Sequence, residues 1–216
     1  MKNKIFLISA ACLLSVGLTS CESSISSEEA KTLLNSYNAS QEFDALNSIV
    51  YTASTITNGE STLNQIVHID LKDLYYYSSI VMPNMSLEAL IFKADNQYNM
   101  CSSLAGSCVS ISAPEAQNQI ATGKTSLASL ASFNSTSFVE FSTEFANGSI
   151  TYTKKGNALT IDANLSAKDT ESKHLLELND RGLITHEEVS IVTPTTSQIV
   201  SIKAEYNVAI TKKTQL

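Results

Sequence analysis

The hydrophobic positions of this chain repeat with two different periods, and the switch between those periods lays out its elements. Over residues 28–37, Ala30, Leu33, Leu34 and Tyr37 fall at i, i+3, i+4 and i+7, which predicts an amphipathic helix. Ser26, with Glu29 three residues later, makes a capping box at its start. From residue 48 the period drops to two. Ile49 to Thr57 forms a strand that ends in the hairpin signal Asn58-Gly59. Leu63, Val67, Ile69 and Leu71 mark one face of the next strand. Leu74 to Val81 makes a third, and alternation sets Tyr76 on the opposite face from Tyr75 and Tyr77. Glu88–Ala94 and Gln97–Cys101 form a hairpin turning at Asp95-Asn96, and Cys108–Ser112 returns along the sheet.

Ser112-Ala113-Pro114-Glu115 opens a helical stretch with Pro in its first turn. Its pattern gives two short helices, 114–121 and 124–133, with Gly123 between them. Strands then resume at Phe138–Phe145, Ser149–Thr153, Leu159–Leu165, Lys173–Asn179, Leu183–Val192 and Ile199–Thr211. On the last of these, Ile202, Ala204, Tyr206, Val208 and Ile210 share one face. The fold class is α+β, mainly antiparallel β. No repeat and no Pro- or Gly-rich linker divides residues 28–216, which are expected to form one domain.

A different segment precedes that domain. Lys2 and Lys4 open it, Ile5 to Leu18 is almost wholly apolar, and small residues lead to Cys21, the layout of an export signal. The apolar run is fourteen residues, short of the roughly 20 that a bilayer-spanning helix needs. Leu18-Thr19-Ser20-Cys21 resembles the bacterial lipobox. The resemblance implies that residues 1–20 are a cleaved lipoprotein signal peptide. It also implies that Cys21 carries a diacylglyceryl thioether and an amide-linked third acyl chain, of the palmitate type. Three chains exceed the two signals that stable membrane anchoring takes. The expected location is therefore extracytoplasmic, lipid-anchored in a bacterial cell envelope. Residues 21–27, rich in Ser, are expected to be a tether that lets the domain stand off the membrane.

Charge and cysteine content narrow the chemistry. The chain carries a net charge of −7, and without Lys2 and Lys4 the remaining 12 basic residues face 21 acidic ones. That balance excludes nucleic acid as a partner and leaves membrane attachment to the anchor. Cys101 and Cys108 are the only cysteines in the body of the protein. In an extracytoplasmic compartment a close pair points to a disulfide rather than a metal site. Closing a loop of this size is worth about 2.5 kcal/mol on the chain-entropy estimate. Two free thiols in a reducing niche are the alternative.

No catalytic constellation emerges. Thr122-Gly123-Lys124-Thr125-Ser126 lacks the earlier Gly of a phosphate loop, since Asn118 holds that position. His68, His174 and His186 are not spaced as zinc ligands. Glu187 and Glu188 fall on opposite faces of a strand, and no nucleophile elbow occurs. The expectation is a non-enzymatic protein with neither metal nor cofactor.

The element order resembles the unclosed β-barrel of the LolA/LolB lipoprotein-carrier and LppX/LprG lipoprotein superfamily: a helix, a strand meander, a central helix pair, then more meander. Residues 175–184, Leu-Leu-Glu-Leu-Asn-Asp-Arg-Gly-Leu-Ile, are similar to a hairpin near the C-terminus of those proteins. The resemblance implies a strongly curved sheet, a half-barrel, whose concave face the N-terminal and central helices cover. It also implies a lipid or other apolar ligand held between sheet and helices, with residues 114–133 as a movable cover. Candidate wall positions are Val67, Ile69, Tyr76, Leu90, Phe92, Ile161, Tyr206 and Val208. The bland reading of the same eight is plain core, and with it goes a structural or interaction role beside another envelope protein. In cells fed radiolabelled fatty acid, Cys21→Ala is expected to abolish label incorporation. Undiminished label would refute the anchor.

Overall fold

The computed structural model describes residues 22–216. Cys21 and the export segment lie outside the described residues. In chain order the elements are β1 (Ser23–Ile25), α1 (Ser27–Ser36), α2 (Ala39–Asp44), β2 (Ser48–Thr57), β3 (Glu60–Asp70), β4 (Tyr75–Met82), β5 (Met85–Ala94), β6 (Gln97–Ser102) and β7 (Ser107–Ile111). There follow α3 (Ala113–Ser126), a 3-10 turn (Ala128–Ala131), α4 (Ser135–Glu144), β8 (Ser149–Lys155), β9 (Ala158–Ala167), β10 (Thr170–Leu178), β11 (Ile184–Val192) and β12 (Ser197–Tyr206). All the strands join one antiparallel sheet of 12, in the order β1-β8-β9-β10-β11-β12-β2-β3-β4-β5-β6-β7. Two meanders meet where β12 pairs with β2. The sheet does not close, since β1 and β7 stand at its two ends.

The helices pack on one face of this sheet, the concave one. Ala30 and Leu34 of α1, Phe43 of α2, Ala116 and Ile120 of α3, Phe138 and Phe141 of α4 and Phe145 at its C-cap share a core with Ile49, Ile69, Ile161 and Leu176 of the strands. Capping boxes Ser26/Glu29 and Ser112/Glu115 start α1 and α3. A two-residue turn with positive φ at both Asn58 and Gly59 joins β2 to β3, and Asp95 and Asn96 do the same between β5 and β6. The Lys124 ammonium of α3 donates to the carbonyls of Asp44 (2.7 Å) and Leu46 (3.1 Å), tying α3 to the end of α2. Burial holds its pKa below that of an ordinary lysine.

Three expectations are corrected here. Residues 138–145 are not a strand: 138–144 belong to α4, and Phe145 is its C-cap. Asn134 caps it by accepting from the amides of Thr136 and Ser137. Phe138, Phe141 and Phe145 then fall at i, i+3 and i+7 and are all buried. The β propensity of Phe, Val and Thr yields to that helical spacing. Gly123 does not separate two helices either: α3 runs through it, and the ring of Tyr76 occupies the space a side chain there would need. Only the 3-10 turn and a short link separate α3 from α4. Finally, the tether is shorter than expected, because Ser23, Ser24 and Ile25 pair with Lys154, Thr153 and Tyr152 of β8.

The convex face carries a smaller apolar cluster of Tyr75, Tyr77, Leu90 and Cys101, with Phe92 and Ile210 packed on it. Ile210 comes from the last segment, which was expected to continue β12 to Thr211. The strand instead ends at Tyr206, and Asn207 at φ 55° turns the chain across the outside of β3, β4 and β5. Lys213 secures it there. Its amide donates to the Tyr75 hydroxyl (3.0 Å) and its ammonium to the Tyr77 hydroxyl (2.9 Å). The Tyr77 hydroxyl donates in turn to Glu88 (2.6 Å), and this bond holds the Glu88 carboxyl below the usual carboxylate range. Lys212 pairs with Asp70 and Asp73.

The helical reading of α4 has a direct test in thermal melts. Phe145→Ala is expected to cost about 3–5 kcal/mol, the range for a buried Phe. Val139→Ala, half exposed on the outer side of the same helix, is expected to stay within about 0.5 kcal/mol. Comparable losses at both positions would contradict it.

Candidate functional site

The eight candidate wall positions separate into three groups. Val67, Ile69 and Ile161 are buried in the main core, with Tyr76 and Tyr206 partly buried against it. Leu90 and Phe92 belong to the convex cluster instead. The cause is register: β4 pairs with β5 so that Tyr76 faces Ile91, which sets Leu90 beside Tyr77 on the other side of the sheet. Ile91 is the concave residue that the sequence reading passed over. Val208 lies beyond the end of β12 in neither cluster; its carbonyl accepts from the Ser48 hydroxyl at 2.7 Å. Cys101 and Cys108 are opposite partners on β6 and β7, joined by a disulfide with their Cα atoms 4.0 Å apart. This fastens the edge strand to the sheet on the convex side.

Val67, Ile69 and Ile161 are between 0 and 3 % exposed, so the protein's own side chains fill the deep part of the groove. The helices cover only part of it, however. Register carries the concave face further along the strands, towards the β2–β3, β4–β5 and β11–β12 turns. Ile202 faces Ala53, which faces Gln65, and then Ile80 and Leu87 follow across β4 and β5. One pair nearer the turns, Val189 faces Val200, which faces Thr55, which faces Leu63. Leu63, Ile80, Leu87, Val189 and Val200 are half-buried and lie outside both apolar clusters. Ile202 bridges from them to the main core. These six residues, on β11, β12, β3, β4 and β5, form an apolar strip that crosses β2 at Ala53 and Thr55. At about 4.8 Å per strand it is roughly 24 Å wide.

A polar pair flanks the strip where it meets the helix-covered core on β10 and β11. His174 Nε2 and Glu187 Oε1 lie 2.9 Å apart on concave positions of β10 and β11. The His174 ring packs edge-on to Phe141 of α4, with centroids 4.9 Å apart. Tyr51 lies one pair deeper on β2, and burial, followed by the Glu187 charge, raises its pKa. Such a pair can hold a polar end group while the strip takes an apolar body. The sequence carried a signal for the strip: parity counted from Tyr76 reaches Ile80, and parity counted from Ile91 reaches Leu87.

A separate concavity lies elsewhere. Glu177, His186, Lys203 and Glu205 line an open cleft of about 520 Å³ on the convex side. His186 Nδ1 is 3.5 Å from Glu177, and its Nε2 is buried without a partner. Among the described residues no group of three His, Cys, Asp or Glu side chains converges to hold a metal ion. No described helix is long and apolar enough to cross a membrane.

No protein-family model matches the chain, and no curated protein matches it. Among solved structures it is similar to a DUF1329 family protein from Desulfovibrio piger, at 10% identity over 85% of this chain and 94% of that one, with a TM-score of 0.24. A TM-score that low does not establish a common fold.

The half-covered groove makes a stability prediction. Leu63→Asp and Val200→Asp, on the uncovered strip, are each expected to leave the protein folded with losses below about 1.5 kcal/mol. Ile161→Asp, in the covered core, is expected to abolish the folded state, since an unpaired buried charge costs several kcal/mol. Equal losses in a denaturant titration would show that the strip is covered after all.

Proposed function

We propose that this protein is an extracytoplasmic lipoprotein, anchored through acyl chains on Cys21, that binds a lipid or other apolar ligand along the uncovered half of its concave face. The observation that carries the reading is the strip itself: six aliphatic side chains on five strands between β11 and β5, outside the two apolar clusters or at their margin, with no covering element among the described residues. An acyl chain laid on it gains roughly 0.8 kcal/mol per buried CH₂. Half the hydrocarbon thickness of a bilayer is about 15 Å, the depth one acyl chain occupies, and the strip is wider than that. The His174–Glu187 pair and Tyr51 would meet the polar end of the ligand. The lipobox-like Leu18–Cys21 and the LolA/LppX-like order of elements support the same assignment.

A non-catalytic interaction module of the cell envelope is the second reading. The burial of Val67, Ile69 and Ile161 favours it, because the deep groove is already filled. The two part in native mass spectrometry of residues 22–216 after detergent-free purification. The lipid reading expects an adduct of lipid mass, lost in a Leu63→Glu/Val200→Glu variant that melts as the parent does. Apo mass from the parent would count against it and leave the interaction module.

A further inference from the structure

The polar groups at the β10–β11 end of the strip limit the kind of head that a ligand lying on it can carry. His174 Nε2 donates to Glu187 Oε1 at 2.9 Å, and the two side chains are 16 and 28 % exposed. Glu187 Oε2 and the Tyr51 hydroxyl make no hydrogen bond among the described residues, and neither is sealed from solvent. Register sets these two unfilled groups on either side of one strand. Glu187 faces Ile202 of β12 from β11, and Tyr51 faces Ala204 from β2. Two strand spacings, about 10 Å, separate their backbones. The Glu187 charge is felt across that gap, since it adds to the burial that raises the Tyr51 pKa.

Charge on this part of the sheet is one-sided. From β10 across β11, β12, β2 and β3 to β4, the only Lys or Arg residues on strands are Lys173 and Lys203. Both project to the convex face: Lys173 lies between the concave Ser172 and His174, and Lys203 between the concave Ile202 and Ala204. The helix α4, which packs on His174, has no basic residue. Lys124 of α3 is committed to the carbonyls of Asp44 and Leu46. Lys168, in the β9–β10 turn, lies past Thr170, which is itself about 13 Å along β10 from His174.

An anionic head set beside Glu187 therefore meets a carboxylate oxygen and no cation. Its charge is dehydrated without a partner, which is the costly outcome. A hydroxyl suits both groups, because it donates to Glu187 Oε2 in a charge-assisted bond and accepts from Tyr51. The Glu187 charge is already met by His174, so a hydrogen-bond acceptor is left over rather than a charge that calls for a cation. We infer that the ligand of the strip carries an uncharged, hydroxyl-bearing head, as on a monoacylglycerol, bound by Glu187 and Tyr51. This inference rests on the lipid-binding reading and names the class of its ligand. A fatty acid still lays its chain on the strip; its carboxylate is what the site disfavours.

Residues 22–216 hold every element described and serve for the test. Three probes of one chain length, 1-lauroylglycerol, laurate and dodecylammonium, are titrated calorimetrically below their aggregation concentrations. The titrations run at about pH 8, where the acid is ionised and the amine protonated. The glyceride is expected to bind at least about tenfold more tightly than laurate, the worth of one hydrogen bond to a charged group. Glu187→Gln keeps the shape and removes the charge, and is expected to narrow that ratio by tightening laurate. Tyr51→Phe is expected to weaken the glyceride about fivefold, the worth of an ordinary hydrogen bond, and to leave laurate unchanged. The comparison of probes on the parent protein decides the matter whether or not a variant folds. Equal affinities for glyceride and laurate, tighter binding of dodecylammonium than of the glyceride, or a ratio that neither folded variant moves would overturn the inference and leave the lipid-binding reading standing. So would a phospholipid or fatty acid as the mass adduct of the purified protein. If none of the three probes binds, the lipid-binding reading falls and this inference falls with it.

Discussion

A single-layer sheet has two faces, and burying the inner one is the constraint on which the rest of this molecule depends. Twelve strands in one antiparallel layer present far more concave surface than four short helices can cover. The helices cover the half nearest α1 and α2, where Ile69, Ile161, Leu176 and Leu183 are all fully buried. Burial at about 25 cal/mol per Å² concentrates the cohesion there. Past the His174–Glu187 pair the same sheet continues without cover among the described residues. Its apolar residues are shielded only by their neighbours along and across the strands.

The convex side has its own solution. Tyr75, Tyr77 and Leu90 would leave an apolar patch on the outside of β4 and β5, and the segment after Asn207 closes it with Ile210 and the two lysines. The disulfide between β6 and β7 fastens the adjoining edge. The convex cluster and the β6–β7 edge thus each have a partner, while among the described residues the strip has none. A binding surface set on a rigid sheet keeps its shape without a dedicated lid.

Much of this was legible from spacing alone. The Ser26/Glu29 capping box located α1, and the Asn58-Gly59 turn and period-two alternation located most strands within a few residues, because local chemistry decides them. The misses have physical causes. In α4, a stretch of β-prone residues became a helix because Phe138, Phe141 and Phe145 needed one face against Tyr152 and His174. Gly123 suggested a break, but its missing side chain makes room for Tyr76. Leu90 and Phe92 were assigned to the inner wall because alternation within one strand does not say which face is inside. Only pairing across the β4–β5 turn settles that, and it selects Ile91. The covered and uncovered halves could not be told apart in the sequence at all, since helix placement is a tertiary property.

The central claim is that an apolar ligand lies along the uncovered strip. A methyl-resolved NMR titration of residues 22–216 with a long-chain fatty acid addresses it most directly. The account predicts intermolecular contacts to the methyl groups of Leu63, Ile80, Val189 and Val200. Contacts confined to Leu90 on the convex face, or resonances that do not respond at all, would contradict it.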